Sequence, residues 1–299
     1  MAHGPVGFVG LGMMGEGATR RLVAQGYEVV GFDIDEAKCR AAAERGVRVV
    51  GSAAEVLEAV DVVLVCVVST AAVVDVCTGP KGFVTAAGAQ GKIVVDHSTT
   101  DLATTRRLAA ELKDKAGIHF VDAPVSGGPG AALEGRMAVM AGGEEADVQA
   151  VTPIMNELAS RFTHMGAVGA GQATKLVNQA LVLTNYCVIA EAVNLGQSLG
   201  IDVSKVPHAL GTGHAGSNLL NDLLPRMVER DFAPRGYARQ ILKDLNLLQD
   251  TAKELGLALP MAGTATQLYR LLVAHGKSEL DGAAVVALLD GTTADLPER

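Results

Sequence analysis

A glycine-rich turn near the N-terminus, set between an apolar run and a helical pattern, leaves this chain few folds to choose from. Val6–Val9 is apolar, Gly10, Gly12 and Gly15 follow with G-x-G-x-x-G spacing, and helical spacing runs on to Ala24. The first glycine makes the turn, the second lets an anion approach the backbone, and the third lets helix and strand pack closely. Free N–H groups and a partial positive charge at the helix start favour a phosphate there. The sequence predicts a dinucleotide turn formed by Gly10, Leu11, Gly12, Met13, Met14 and Gly15, with a ligand-free turn as the alternative.

The first half of the chain alternates short apolar runs with Ala-rich helical patterns. The predicted strands are Val6–Val9, Tyr27–Phe32, Val47–Val50, Val62–Val68 and Ile93–Val95. The predicted helices are Gly15–Ala24, Glu36–Glu44, Ala53–Ala59, Thr70–Cys77 and Leu102–Lys115. Continuous apolar runs are typical of strands that are buried on both faces. Their alternation with helices predicts a parallel sheet covered by helices on both sides, which is an α/β Rossmann-type domain.

The second half has a different character. Strand signals end near residue 165, and Gln172–Leu199 reads as one long helix without proline. Helical patterns then continue to about Leu289. A chain of 299 residues is long enough for two domains. We therefore predict a dinucleotide-binding domain over residues 1–165 and an all-α domain over residues 166–299, joined by the long helix.

Composition excludes several classes of partner. The net charge of −8 disfavours nucleic acid and anionic membranes, and aromatic residues at 3% disfavour base-stacking platforms. No run of about 18 uncharged apolar residues is present, so no membrane-spanning helix is expected. The four cysteines lack metal-type spacing, and the N-terminal apolar stretch lacks a preceding basic region. We expect a cytoplasmic protein without a metal.

Asp33 indicates which dinucleotide binds. It ends the second predicted strand, 18 residues after Gly15. A carboxylate there accepts hydrogen bonds from the adenosine ribose hydroxyls and repels a 2′-phosphate. Because Ile34, Asp35 and Glu36 follow, no arginine is placed to bind that phosphate. The expected cofactor is NAD rather than NADP, and the alternative is that Asp33 only caps the next helix.

Two later segments extend the pattern to most of the chain. Asp122-Ala-Pro-Val-Ser-Gly-Gly128 forms one glycine-rich run, and Gly171-Gln-Ala-Thr-Lys-Leu-Val-Asn178 forms the other. Together with the first glycine turn and Lys243-Asp244, they resemble the β-hydroxyacid dehydrogenases, the family of 3-hydroxyisobutyrate dehydrogenase and tartronate semialdehyde reductase. The resemblance implies a Rossmann domain, a helical domain, a cleft between them, and a homodimer or homotetramer.

The resemblance also implies the residues that carry the chemistry. Lys175 becomes the general acid/base, and Asn178 positions it. Lys175 stands in an uncharged stretch, where desolvation would lower a lysine pKa, although a surface lysine has the same local sequence. The substrate carboxylate is expected at Ser126, Gly127 and Gly128, since consecutive N–H groups in a tight turn bind anions. A plain strand-to-loop turn is the alternative there.

Further positions follow from the resemblance alone. Val67, Val68, Thr99 and Lys243 match positions that contact the cofactor, although Ser98 or Thr99 could instead cap a helix. Gln179 is expected to contact the substrate, and it replaces the asparagine usual in 3-hydroxyisobutyrate dehydrogenases. Arg136 could hold a second anionic group or face solvent. His214 lies in a glycine-rich stretch and is expected to be an exposed loop residue.

The expected activity is NAD-dependent oxidation of a small 3-hydroxyacid, similar to 3-hydroxyisobutyrate, to its semialdehyde. L-Threonate dehydrogenase and 2-hydroxy-3-oxopropionate (tartronate semialdehyde) reductase are alternatives with the same chemistry, and the segment Ala233-Pro-Arg-Gly236 resembles the L-threonate branch. Imine reduction and cofactor binding without catalysis are more distant alternatives. Lys175 argues against the first, and the intact set of Ser126, Lys175 and Asn178 argues against the second.

Overall fold

A computed structural model describes residues 4–297. The chain forms two compact units that divide between Lys175 and Leu176. This point lies inside a 29-residue helix, Ala170–Ser198, which closely matches the predicted long helix. The division expected at residues 165 and 166 precedes that helix and stays a prediction.

The first unit contains one sheet of nine strands. The strands are β1 (Val6–Val9), β2 (Val29–Phe32), β3 (Val47–Val49), β4 (Val62–Val65), β5 (Ile93–Asp96), β6 (His119–Asp122), β7 (Val125–Ser126), β8 (Met137–Gly142) and β9 (Ala159–Gly166). Its helices are α1 (Met13–Ala24), α2 (Glu36–Ala43), α3 (Ala53–Ala59), α4 (Thr70–Thr78), α5 (Leu102–Ala116), α6 (Gly128–Glu134) and α7 (Glu145–Leu158). The predicted elements of this half agree with these bounds to within a few residues.

Strand order places the ligand-binding edge of the sheet. The order is β3-β2-β1-β4-β5-β6-β8-β7, with β9 paired to β8. The chain runs outward from β1 through β2 and β3, then returns to β4 on the other side of β1. In such doubly wound sheets, ligands bind outside the carboxyl ends of the strands at this reversal. The residues that follow β1, β4 and β5 therefore share one edge.

The predicted parallel sheet is present, and further strands that the sequence did not predict extend it. Strands β1 to β6 are parallel, but β8 runs antiparallel to both β6 and β7, and β9 runs parallel to β8. The sequence analysis did not predict β6 to β9, although Met137–Gly142 is itself an apolar run. β7 has only two residues, and β9 is mostly exposed. The Rossmann-type core was predicted correctly, and its antiparallel extension was not.

Both faces of the sheet are covered, as the continuous apolar runs require. Along β1, Val6 and Phe8 belong to one buried cluster, and Val9 belongs to another. Along β4, Leu64 packs in the first cluster, while its neighbour Val63 packs in the second. Since successive side chains of a strand point to opposite faces, each cluster is the core on one side of the sheet.

The second unit is helical over the residues that the structure describes, as predicted. It contains the rest of α8 (Ala170–Ser198), followed by α9 (Val206–Leu210), α10 (Asn218–Glu229), α11 (Ala238–Glu254), α12 (Pro260–Ala274) and α13 (Val286–Leu289). Its core includes Leu223, Leu245 and Tyr269. A buried ion pair also lies inside it, with Arg226 Nη1 3.1 Å from Asp281 Oδ1.

Helix α8 is long and apolar enough to cross a membrane by length and composition alone, and it contains an 18-residue window with at most two charged residues. The expectation of no such segment was therefore too strict. The property is weak evidence for a membrane, because the core helix of a globular unit has the same composition. Ala190 and Val193 of α8 are indeed buried in the core of the second unit.

Candidate active site

The glycine-rich turn has the geometry that its spacing predicts. Gly10 has φ = +96°, and a side chain there would overlap the carbonyl oxygen of Cys66. A side chain at Gly15 would overlap the carbonyl oxygen of Gly10. At Gly12, in contrast, a Cβ would meet no atom within 4 Å, and no side chain caps the start of α1. Two glycines are thus needed for the fold, and the third leaves open space beside the helix N-terminus.

Asp33 lies directly beside this turn. Its Oδ2 accepts a hydrogen bond from Leu11 N at 2.7 Å, which ties the end of β2 to the turn. The alternative that Asp33 caps α2 is wrong, because Asp35 Oδ1 accepts from Ala37 N at 2.9 Å. Lys38, which the sequence analysis did not consider, brings its Nζ to 3.9 Å from Asp33 Oδ1.

These features fit a dinucleotide. The open space at Gly12 and the uncapped start of α1 suit the pyrophosphate, because free N–H groups and the helix dipole favour an anion. The carboxylate of Asp33 stands at the end of the adjacent strand, where a ribose would follow.

Val67, Val68 and Thr99 follow the carboxyl ends of β4 and β5, on the same edge as the glycine turn. Val67 N donates to Ser98 Oγ at 3.0 Å, and Val68 is 59% exposed. The capping alternative for Ser98 and Thr99 is wrong, because Asp101 caps α5. Their predicted contacts with the cofactor stay predictions.

The turn after β7 has an uncommon backbone conformation. Gly127 and Gly128 have φ = +123° and φ = +72°, which L side chains rarely adopt. A Cβ at Gly127 would also lie 2.7 Å from that of Ala131, whereas Gly128 faces open space. Ser126 ends β7 immediately before them. Two glycines are therefore required by backbone geometry next to the serine expected to hold the substrate.

Lys175 is buried, with 8% of its surface exposed. Its Nζ donates to the carbonyl oxygen of Val125 at 2.7 Å. Since Val125 directly precedes Ser126 in β7, the first unit brings the predicted acid/base beside the predicted substrate turn. The surface-lysine alternative is wrong, and the catalytic role stays a prediction.

The sequence analysis gave no role to two buried residues around the start of α8. Asp122 Oδ1 accepts from Gly169 N at 2.7 Å, and its Oδ2 accepts from Gln172 N at 2.8 Å. The side-chain amide of Gln172 donates to Ser98 O at 2.7 Å and accepts from Thr100 N at 3.2 Å. These bonds attach the first turn of α8 to the segments that follow β5 and β6.

The second unit holds a chain of polar side chains. Asn178 Nδ2 donates to Gln179 Oε1 at 2.8 Å, and Gln179 Nε2 donates to Asp244 Oδ2 at 2.6 Å. Lys243 Nζ lies 3.0 Å from Asp244 Oδ1. All four residues were named from the sequence, but the hydrogen bond between Gln179 and Asp244, which connects α8 with α11, was not predicted. Asp244 thus orients Gln179, the residue that departs from the family pattern.

The two residues left open by the sequence lie at the surface. Arg136 is exposed, and its Nε donates to Glu134 Oε2 at 2.6 Å, which favours the solvent-facing alternative. His214 is exposed in the loop between α9 and α10, as expected.

Comparison with known proteins gives a consistent assignment. The family model described as the NAD binding domain of 6-phosphogluconate dehydrogenase matches residues 5–166. The model described as NAD-binding of NADP-dependent 3-hydroxyisobutyrate dehydrogenase matches residues 169–289. The two matches together cover both halves of the chain.

Curated relatives and solved structures are similar along nearly the whole length. The 2-hydroxy-3-oxopropionate reductase of Escherichia coli is 35% identical over 289 residues, covering 95% of this chain and 97% of that protein. Human mitochondrial 3-hydroxyisobutyrate dehydrogenase is 32% identical, covering 95% and 86%. The crystal structure of 3-hydroxyisobutyrate dehydrogenase from Salmonella typhimurium has a TM-score of 0.87 at 31% identity, covering 96% and 100%. The chain therefore belongs to the β-hydroxyacid dehydrogenase family, and it is a nicotinamide-dinucleotide-dependent oxidoreductase that acts on CH–OH groups.

Proposed function

We propose that this protein oxidises a small 3-hydroxyacid, similar to 3-hydroxyisobutyrate, to its semialdehyde with NAD, reversibly, using Lys175 as general acid/base. The observation that carries the proposal is the buried ammonium of Lys175, held 2.7 Å from the carbonyl oxygen of Val125. A lysine held beside a turn suited to a carboxylate fits an alcohol that must lose a proton while its acid group stays bound.

The residues of this chain divide the remaining work. When bound, a nicotinamide dinucleotide would supply the hydride acceptor for oxidation and the hydride donor for reduction. As a neutral amine, Lys175 Nζ takes the proton of the substrate hydroxyl during oxidation and becomes an ammonium, and the Val125 carbonyl holds that nitrogen in place. The hydroxyl of Ser126 and the N–H groups of Gly127 and Gly128 bind the carboxylate. Asn178, one helical turn beyond Lys175 on α8, positions the lysine and the substrate hydroxyl.

Substrate choice within this chemistry depends on Gln179. Its side chain is held by Asp244, and it is one methylene longer than the asparagine usual in 3-hydroxyisobutyrate dehydrogenases. Two other substrates therefore stay in competition, 2-hydroxy-3-oxopropionate, which the E. coli relative is named for reducing, and L-threonate. The proposal is tested by the rate of NAD reduction with each of five acids: 3-hydroxyisobutyrate, 3-hydroxypropionate, glycerate, L-threonate and serine. Activity with none of these acids contradicts it.

Asp33 is expected to make NAD the preferred cofactor, with kcat/KM at least about tenfold higher for NAD than for NADP. The carboxylate accepts hydrogen bonds from a free ribose and repels a 2′-phosphate, and a hydrogen bond to a charged group contributes about 1.5–3 kcal/mol. Initial rates with each cofactor measure the ratio.

Lys38 would favour NADP instead, because its Nζ lies 3.9 Å from Asp33 Oδ1 and could bind the 2′-phosphate. Lys38→Ala is the matched variant. If Lys38 only neutralises Asp33 and Asp35, this change leaves the preference for NAD intact. Equal kcat/KM for both cofactors in the unmodified protein contradicts the prediction, and a shift towards NAD in Lys38→Ala would assign the phosphate contact to the lysine.

Ser126→Ala is expected to raise KM for the hydroxyacid by about tenfold or more, while KM for NAD changes little. The variant removes one hydrogen bond to the carboxylate, and a bond to a charged group contributes about 1.5–3 kcal/mol. Steady-state kinetics with each substrate varied in turn separate the two constants. Ser160→Ala is the control, since that hydroxyl is exposed and donates to Arg136 O. An unchanged KM for the hydroxyacid in Ser126→Ala would move the carboxylate site elsewhere.

We also propose a cytoplasmic homodimer or homotetramer. An exposed apolar stripe on α8 supports association of copies. It is formed by Val177, Leu181, Val188 and Leu195, whose spacing places them on one side of the helix.

A further inference from the structure

We propose that Asp122 is a positioning residue that fixes the first turn of α8 and, through it, the ammonium of Lys175. This inference rests on the proposed function, in which Lys175 transfers the proton. Asp122 itself is not placed in contact with the substrate. Its effect runs through the backbone of the helix that carries the lysine.

The Asp122 carboxylate is paired with backbone N–H groups at the start of α8. Asp122 is fully buried, and each of its oxygens accepts one backbone N–H from the start of α8, from Gly169 and from Gln172. The first N–H groups of a helix have no partner within the helix, and they carry its positive dipole end. An ionised carboxylate is the side chain that satisfies two of them at once. Asp122 therefore fixes where α8 begins.

Two glycines border the Asp122 carboxylate at positions where a side chain would overlap it. A Cβ at Gly142 would lie 2.6 Å from Asp122 Oδ1, and a Cβ at Gly171 would lie 2.8 Å from Oδ2. Gln172 adds a second attachment through Ser98 O and Thr100 N. The first turn of α8 is thus held by the segments after both β5 and β6, which leaves little freedom for the helix to shift.

Lys175 is held by the same segment of the chain that contains Asp122. Asp122 and Val125 lie three residues apart on one segment, and Gln172 and Lys175 lie three residues apart on α8. The segment therefore holds the helix at two points, carboxylate to N–H and carbonyl to ammonium. Because a displacement of about 1 Å at a reacting group can lower a rate about 10²-fold, weakening one point is expected to affect the other.

The charge state of Asp122 provides a readout that is independent of mutation. Burial raises the pKa of the Asp122 carboxyl to about 6, although the N–H groups of Gly169 and Gln172 lower it. The ionisable groups near it are Asp96, its partner on β5, His97, which bonds Ala123 O, Lys175 on α8 and Arg106 on α5 beside Gly169. Protonation below about pH 6 leaves one oxygen carrying a hydrogen, so one helix N–H loses its acceptor.

The raised pKa of Asp122 also makes the stability of the fold depend on pH. Since the folded protein binds this proton more tightly than the unfolded chain does, the stabilising effect is full below the ordinary pKa of 3.8. It is lost as the pH rises to about 6. At pH 7 the fold with the ionised, buried carboxylate is therefore less stable than the fold with Asp122 protonated at low pH.

The test compares Asp122→Asn with the unmodified protein in the direction of semialdehyde reduction. Lys175 must carry a proton in that direction, so its own titration produces no loss of rate at acid pH. We expect kcat to fall at least about tenfold in Asp122→Asn, with KM for NADH changed less than twofold. We also expect kcat of the unmodified enzyme to fall at acid pH with a midpoint near pH 6, and we call this fall the acid limb of its pH profile. The acid limb should be absent from the variant.

Two further variants keep the test decisive. His97→Asn keeps a donor to Ala123 O, so the acid limb should persist if it belongs to Asp122, and its loss there overturns the assignment. Gln172→Ala leaves Asp122 intact and should also lower kcat about tenfold, which supplies the answer if Asp122→Asn does not fold. Full turnover in folded Asp122→Asn, or in Gln172→Ala, overturns the inference. Full turnover in Lys175→Ala would instead overturn the proposed function.

Discussion

Replacing Lys175 with alanine is expected to lower kcat by about 10²-fold or more while the dinucleotide still binds. The variant removes the amino group that lies 2.7 Å from Val125 O, and with it the group proposed to accept the proton during oxidation and to return it during reduction. The proposed cofactor site, at the glycine turn and Asp33, lies on other elements, so affinity for NADH should stay within about twofold. Steady-state kcat and a fluorescence titration with NADH measure the two quantities separately.

Lys277→Ala is a matched control for this variant. Lys277 is also buried, and its Nζ also donates to a backbone carbonyl, that of Leu296, at 2.6 Å. Both changes leave a partly buried carbonyl without its lysine donor, at a cost in stability of about 1 kcal/mol. Only Lys175→Ala should then lower kcat. Near-normal turnover in Lys175→Ala would remove the lysine from the chemistry, and an equal loss in both variants would indicate a general effect of stability.

The central sheet could be predicted because its strands are buried on both faces, and a strand in that setting is a continuous apolar run. The strand Val6–Val9 and the helix Ala53–Ala59 are both observed with their predicted bounds. The run Val62–Val68 was predicted too long, since the strand ends at Val65. Beyond that point Val67 N donates to the Ser98 side chain instead of to a neighbouring strand, and Val68 is exposed. Apolar composition alone does not show where strand pairing stops.

In the candidate site, residues close together in sequence could be predicted, whereas contacts between distant residues could not. Residues within one motif, such as Gly10 to Gly15 or Ser126 to Gly128, could be named because local spacing indicates their backbone geometry. Asp122 bonds residues 47 and 50 positions away, and Gln179 bonds Asp244 across 65 positions. Such pairs leave no periodic signal in the sequence. Lys38 is different, because it stands one helical turn after Asp35 and could have been found from its position alone.

Gly12→Ala is expected to fold normally and yet bind NAD about tenfold to a hundredfold more weakly. A Cβ at this position meets no protein atom within 4 Å, and the backbone there is extended with φ = −71°. Alanine is a poorer N-cap than glycine but also restricts the unfolded chain, so the two effects on stability oppose each other. The methyl group instead occupies the space through which the pyrophosphate approaches the start of α1. Losing one or two hydrogen bonds to that anion corresponds to the expected fold-change.

Gly15→Ala and Gly236→Ala are the two control variants for this prediction. The first places a Cβ on the carbonyl oxygen of Gly10, so it should lower both the thermal unfolding midpoint and cofactor affinity. The second adds a methyl group in equally open space in the other unit, so it should change neither. Calorimetric titration with NAD and a thermal unfolding curve for each variant give the comparison. Undiminished NAD affinity in Gly12→Ala would mean that the pyrophosphate does not lie against this turn, because the added methyl group has no other neighbour to disturb.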